Sequence, residues 1–205
     1  MTPVLMMDVD GVIITGRPED GAHWSTSLQQ DLGIARKDLM QAFFRPHWAQ
    51  IVTGHARMIP LLSQALRALG SDVSAQELMA YWFAKDSRMN EALLEALRHL
   101  RKEGVSVWFA TNQEPHRSAY LWNDLGLNTF ADGMLSSADL GVAKPERAFY
   151  RAVEDRVGAR PDQLFLVDDT LANVDMARAV GWSGHHWQAG DDLGALWRHH
   201  RGNTP

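Results

Sequence analysis

Short apolar runs recur along this chain, and each stops abruptly at polar or acidic residues. Val4-Leu5-Met6-Met7 runs into Asp8-Val9-Asp10-Gly11, Val105 to Ala110 into Thr111-Asn112, and Leu164-Phe165-Leu166-Val167 into Asp168-Asp169. Bounded runs of this length predict buried strands at 3–8, 105–110 and 164–167. Weaker patterns predict strands near 133–136 and over Trp182–Trp187. Helical spacing fills the gaps. Met89, Ala92, Leu93, Ala96, Leu97 and Leu100 share one face before Gly104, and a second helix over 115–125 ends at Gly126. Phe149, Val153 and Val157 line a third, with Pro145 suited to its first turn, and a fourth runs to Val180 before Gly181. Strands alternating with helices predict a Rossmann-like three-layer α/β/α core around a mainly parallel sheet with right-handed crossovers.

One stretch breaks the alternation. Gly11, Gly16, Pro18 and Gly21 mark a loop, and from about 24 to 86 only helical patterns occur. Ile59, Leu62, Leu66 and Leu69 fall on one helix face, with Gly70 placed to stop it. Roughly four helices are expected there. The stretch is too long for a crossover, so it reads as an insert over the carboxyl edge of the sheet. The domain reading is a core of 1–15 and 89–205 and a helical cap of 16–88. The final residues are polar and read as a frayed end.

Composition narrows the picture. A 45% hydrophobic and 22% charged chain of 205 residues can bury a sizeable core. A formal net charge of −5 and the lack of basic runs give no reason to expect nucleic acid or a membrane surface as partner. Cysteine is absent, which excludes disulfides, thiolate metal sites and a cysteine nucleophile. No signal-peptide pattern and no apolar stretch near the about 20 residues needed to span a bilayer is present. The expectation is a cytoplasmic protein acting on a small phosphorylated metabolite, with its oligomeric state left open.

The candidate chemistry lies at the strand ends. Asp8, Asp10, Asp168 and Asp169 would converge on one sheet edge, where open α/β sheets hold ligands. Four carboxylates repel one another unless a cation intervenes, and an all-oxygen set points to Mg²⁺. Lys144 and Thr111 add a cation and a hydroxyl donor, completing a site for a phosphoryl group. A carboxylate can attack phosphorus and form an aspartyl-phosphate, and a second can protonate the leaving oxygen and then deprotonate water. Asp8, on the strand end, is the better nucleophile candidate. Asp10, past the turn, can lean toward the leaving group.

Asp8-Val9-Asp10-Gly11-Val12, Thr111-Asn112, Lys144-Pro145 and Asp168-Asp169, in this order, resemble the haloacid dehalogenase-like superfamily. The resemblance implies that Asp8 is the phosphorylated nucleophile and Asp10 the general acid/base, which also gives its backbone carbonyl to Mg²⁺. It implies that Thr111 and the Asn112 backbone hold phosphoryl oxygens and that Lys144 bridges nucleophile and phosphate. Asp169 and Asp168 would hold the metal, with Asn173 orienting their loop from behind. Dehalogenases of this superfamily lack an acid/base aspartate at the place of Asp10 and need no Mg²⁺, so the phosphatase branch is favoured. Phosphonatases use a cap lysine, and neither Lys37 nor Lys85 has a supporting context. The insert resembles the small C1 cap. The run from Ser136 to Glu146 resembles the sugar-phosphate phosphatase and epoxide-hydrolase N-terminal phosphatase lineage.

His23, Trp24, Arg45, His47 and Trp48 are the cap candidates for substrate contact, and Arg17 could guard the entrance. Tryptophans in a small helical cap more often pack its core. His185-His186 and His199-His200 have no metal-ligand spacing and read as surface or strand histidines. The leading expectation is a Mg²⁺-dependent phosphatase of a small phosphomonoester, a sugar phosphate being one such substrate. A phosphomutase and a non-catalytic phosphate-ligand-binding regulatory protein stand as alternatives.

Overall fold

The computed structural model describes residues 3–202, so the frayed end expected of the last few residues lies partly outside the described residues. Five strands make one all-parallel sheet: β1 (Val4–Met7), β2 (Ser106–Thr111), β3 (Gly133–Ser136), β4 (Leu164–Asp168) and β5 (Ser183–His186). Their order is β3-β2-β1-β4-β5, which places β1 at the centre. Met7 lies opposite both Phe109 and Val167, so the three central strands end at the same level. The order reverses direction at β1, and this is where an open α/β sheet binds ligands.

The two-residue period of a strand divides the core into two faces. Leu5, Met7, Val107, Phe109, Phe165 and Val167 pack on one side, and Met6, Ala110, Leu164 and Leu166 on the other. The helices fall in two blocks. Those of the insert are α1 (Leu28–Leu32), α2 (Arg36–Leu39), α3 (Arg45–Val52), α4 (Met58–Ala68) and α5 (Ala75–Lys85). The remainder are α6 (Glu91–Lys102), α7 (Pro115–Ala119), α8 (Ser137–Leu140), α9 (Arg147–Val157), α10 (Leu171–Ala179) and α11 (Leu193–Gly202). The apolar stripes of α6 and α11 cover the first face, and those of α9 and α10 the second. The sequence pattern did not reveal α11: His199, His200 and Arg201 make its end polar, yet Trp197 is fully buried against Phe165.

A π-type turn, Met40–Phe44, joins α2 to α3 without a break, so the insert holds four helical rods, as expected. These rods have their own hydrophobic cluster, built on Leu28, Phe43, Leu62, Leu66, Leu78 and Trp82. A capping box between Ser74 and Glu77 starts α5. The two ends of the insert lie side by side: Thr15 N–H donates to the Arg88 carbonyl at 2.8 Å, and Arg88 N–H to Gly16 at 3.0 Å.

Among the described residues, the contacts that tie the insert to the α/β part include three polar or backbone ones. The Ser137 hydroxyl donates to the Val52 carbonyl, and Gly54 (φ +73°) presses its backbone so close to the Ala138 carbonyl that a Cβ would not fit. The third is Arg117, fully buried in α7. Its guanidinium donates to the carbonyls of Phe83 and Asp86 and lies 3.5 Å from the Asp86 carboxylate. The Phe83 and Tyr120 rings face it at 5.4 and 5.6 Å.

Two predictions test this packing. Trp197→Ala is expected to lower stability by about 3–5 kcal/mol, read as a shift in the urea midpoint, because it empties a buried aromatic site. Arg117→Met is expected to cost about 3–5 kcal/mol by leaving Asp86 half-paired, and a midpoint within error of wild type would contradict the buried tie.

Candidate active site

The site starts from strand ends that the register brings level. Asp8 follows β1 directly, its N–H bonded to the Val167 carbonyl at 2.9 Å, so Asp8 and Asp168 stand side by side. Lys144 lies between them. Its ammonium is 3.0 Å from Asp8 Oδ1 and donates to Asp168 Oδ2 at 2.6 Å, with the lysine side chain only 1% exposed. Burial disfavours the ammonium, but Asp8 and Asp168 more than offset this and hold the Lys144 pKa above its ordinary value. Burial pushes Asp8 up to about 7; Lys144 pulls it down, and the charge of Asp168 adds to the rise.

Each partner is itself positioned. The Asn112 amide donates to the Lys144 carbonyl at 2.9 Å, and Lys144 N–H donates to Asn112 Oδ1 at 2.9 Å, a reciprocal pair that fixes the lysine loop. Pro145 does not sit in the first helical turn, as its spacing suggested. It occupies a turn closed by Glu146 N–H on the Ala143 carbonyl, and α9 begins two residues later. The Asn173 side-chain amide donates to both Asp168 oxygens at 3.0 and 3.1 Å, and the Asn173 backbone carbonyl accepts from the Tyr150 hydroxyl at 2.7 Å. Thr111 is buried at the end of β2. His186, read as a plain strand histidine, places Nε2 2.9 Å from the Asp169 carbonyl.

Asp10 points elsewhere. Its Oδ2 accepts from the Gln113 amide at 2.6 Å, and its Oδ1 lies 3.7 Å from Arg117. The side chain is 50% exposed, and that exposed half faces the cavity beneath the insert. Burial of its other half, helped by the nearby charge of Asp86, raises its pKa, while Arg117 and Gln113 oppose the rise. Asp10 therefore has the surroundings of a group that can carry a proton. Sequence reasoning missed Gln113 and Arg117. The only signal was their place just after Thr111-Asn112.

The oxygens of Asp8, Asp168 and Asp169 lie within 4.8 Å of one another. The Asp10 carboxylate is not in this group, which leaves its backbone carbonyl as the expected donor. Gly11, at φ +79°, passes so close to the Asp169 carboxylate that any Cβ would collide with it. Three carboxylates without nitrogen or sulfur ligands make a hard donor set, and these residues fit Mg²⁺.

A cavity of about 710 Å³ opens from Asp10 and Gly11 into the insert. Of the cap candidates, His23, Trp24, Arg45 and Trp48 line it, whereas His47 is not in its lining and lies beside the Phe43 ring. Arg17 is buried by its bonds to Asp20 and Ser27 and is not a cavity residue, so it holds the loop after Gly16. Sequence reasoning missed Leu39, Met40, Phe44 and Trp82 in the wall, since nothing in one helix's pattern says which face meets a neighbouring site.

The family model for haloacid dehalogenase-like hydrolases matches residues 2–181. The sesquiterpene phosphatase astK of Aspergillus oryzae is 27% identical over 191 residues, covering 88% of this chain and 87% of that protein. Bifunctional epoxide hydrolase 2 of Rattus norvegicus is 25% identical over 138 residues, which is 62% of this chain but a 25% share of the hydrolase. A HAD family enzyme of Bacteroides thetaiotaomicron, crystallised with magnesium and inorganic phosphate, shares the fold at a TM-score of 0.79. Its identity is 21%, with 97% of this chain and 100% of that one covered. The matched span takes in all four loops that carry the site, and the chain belongs to the haloacid dehalogenase-like hydrolases.

Proposed function

We propose that this hydrolase is a Mg²⁺-dependent phosphatase that works through an aspartyl-phosphate on Asp8, with residues 16–88 as its cap. The observation that carries the reading is the division of labour in one loop. Asp8 is buried against Lys144 at the strand end, while Asp10, two residues on, faces the cavity and is held by Gln113 and Arg117. A phosphatase among the relatives supports it.

In the first step an Asp8 carboxylate oxygen attacks phosphorus, and the bond from phosphorus to the substrate oxygen breaks. That oxygen leaves with the proton of Asp10. In the second, Asp10 takes a proton from water, whose oxygen attacks the same phosphorus. Inorganic phosphate departs and the Asp8 carboxylate is restored. Lys144 offsets charge on the phosphoryl oxygens, and Thr111 with the Asn112 backbone binds them. Asp8, Asp168, Asp169 and the Asp10 carbonyl would hold Mg²⁺, which supplies further charge neutralisation on the phosphoryl group. Asn173 keeps Asp168 aimed.

Asp8→Asn is expected to cut phosphate release from a panel of phosphomonoesters by about 10⁴-fold or more while the thermal midpoint stays near or above wild type. Wild-type rates in the variant would remove Asp8 as nucleophile. Chelation of Mg²⁺ is expected to abolish release reversibly, with activity returning on adding the ion back. Transfer of phosphate within a sugar phosphate without free phosphate would favour a mutase, and ligand-induced stabilisation without turnover would favour a binding protein.

A further inference from the structure

The cavity says what kind of alcohol carries the phosphate. We infer, resting on the phosphatase reading, that the substrate is the phosphomonoester of a long apolar alcohol rather than of a sugar. Asp10 and Gly11 form the floor of the cavity, whereas Asp8, Thr111 and Lys144 do not line it. The phosphoryl group therefore belongs below, and the leaving group, protonated by Asp10, extends upward into the insert.

What it meets there is hydrocarbon. Trp24, Leu39, Met40, Phe44, Trp48 and Trp82 supply the wall. The four rings brace one another: Trp24 stacks on Trp82 at 5.4 Å, Phe44 meets Trp48 at 5.4 Å, and Trp82 meets Phe44 and Trp48 at 5.7 Å each. Such a wall is formed before any ligand arrives, and about 710 Å³ is within the usual range for a small-molecule site. The π-type turn is part of its construction. Between α2 and α3 it brings Met40 and Phe44, four residues apart, into the same wall. Met40 is 37% exposed, an unusual state for a large apolar side chain in this protein.

Apart from two arginines, the polar groups of the lining are largely engaged within the protein. The Ser25 hydroxyl pairs with His23 Nδ1 at 2.8 Å, Thr15 donates to the Arg88 carbonyl at 3.3 Å, and Asp86 is engaged by Trp82 Nε1 and Arg117. A sugar ring brings several hydroxyls that need partners on burial, and this wall would leave most of them unpaired. A hydrocarbon chain needs none. Arg36 and Arg45 also belong to the lining; they are exposed, have no ion-pair partner among the described residues, and add positive charge to a site that takes an anionic ester.

The test uses the whole protein with Mg²⁺ and n-alkyl phosphates from ethyl to decyl, kept below micelle formation, beside a hexose phosphate and a purine nucleoside monophosphate. kcat/KM is expected to rise roughly fourfold per added methylene until the cavity fills, and decyl phosphate to surpass both polar esters. Met40→Glu, at an exposed position, is expected to lower the decyl-to-ethyl ratio by roughly tenfold or more. A flat series, a preference for the hexose phosphate or nucleotide, or an unchanged ratio in Met40→Glu would overturn the inference. Non-hydrolysable alkylphosphonates separate it from the reading beneath it. Thermal stabilisation that grows with their length, without phosphate release from any ester, would sink the phosphatase and support the apolar site. Stabilisation independent of length would sink the apolar site even if every ester turned over.

Discussion

One buried ammonium group allows this sheet edge to exist. Asp8 and Asp168 end neighbouring strands at the same level, and without a cation their charges would repel in a poorly solvated place. Lys144 lies between them within 3.0 Å of both. The lysine is held in turn through its backbone by Asn112, which follows β2, so three strand ends depend on one side chain. The aspartates also need their own supports. Asn173 fixes Asp168, and the Gly11 backbone gives Asp169 its space.

A second charged centre does a different job. Arg117 is buried where the insert meets the core, close to Asp10 on one side and Asp86 on the other. It makes the position of the acid/base candidate depend on the seating of α5, whose last turn and the residue after it supply the Phe83 and Asp86 carbonyls. The chemistry near Asp8 rests on the sheet, while the surroundings of Asp10 rest on the contact between two hydrophobic clusters.

The strands and the residues at their ends were legible in the sequence because a parallel core strand is a short apolar run with a sharp polar stop. Asp8, Thr111 and Asp168 follow from that rule alone. Lys144 was legible by its place in a motif, but the role of Pro145 was not: a proline before a helix and one within its first turn look the same in sequence. Helix α11 was hidden by its polar end, since the burial of Trp197 depends on a face of the sheet that other elements build. Arg117, Gln113 and Trp82 were illegible for the same reason. Their significance comes from the seating of the insert, a long-range contact that no local period encodes. His47 and Arg17 illustrate the converse: their residue types suggested a binding role, and packing took them elsewhere.

The insert leaves and rejoins the core at two adjacent chain crossings, where Thr15 and Gly16 pair with Arg88. A segment whose ends touch is topologically a loop, whatever its length. Lineages could lengthen, shorten or replace everything between those crossings without shifting a strand register or an acidic ligand. The aspartates at the strand ends are therefore constrained by the sheet, while the helices above them are free to drift on a separate evolutionary clock, except where Arg117 ties Asp10 to the insert.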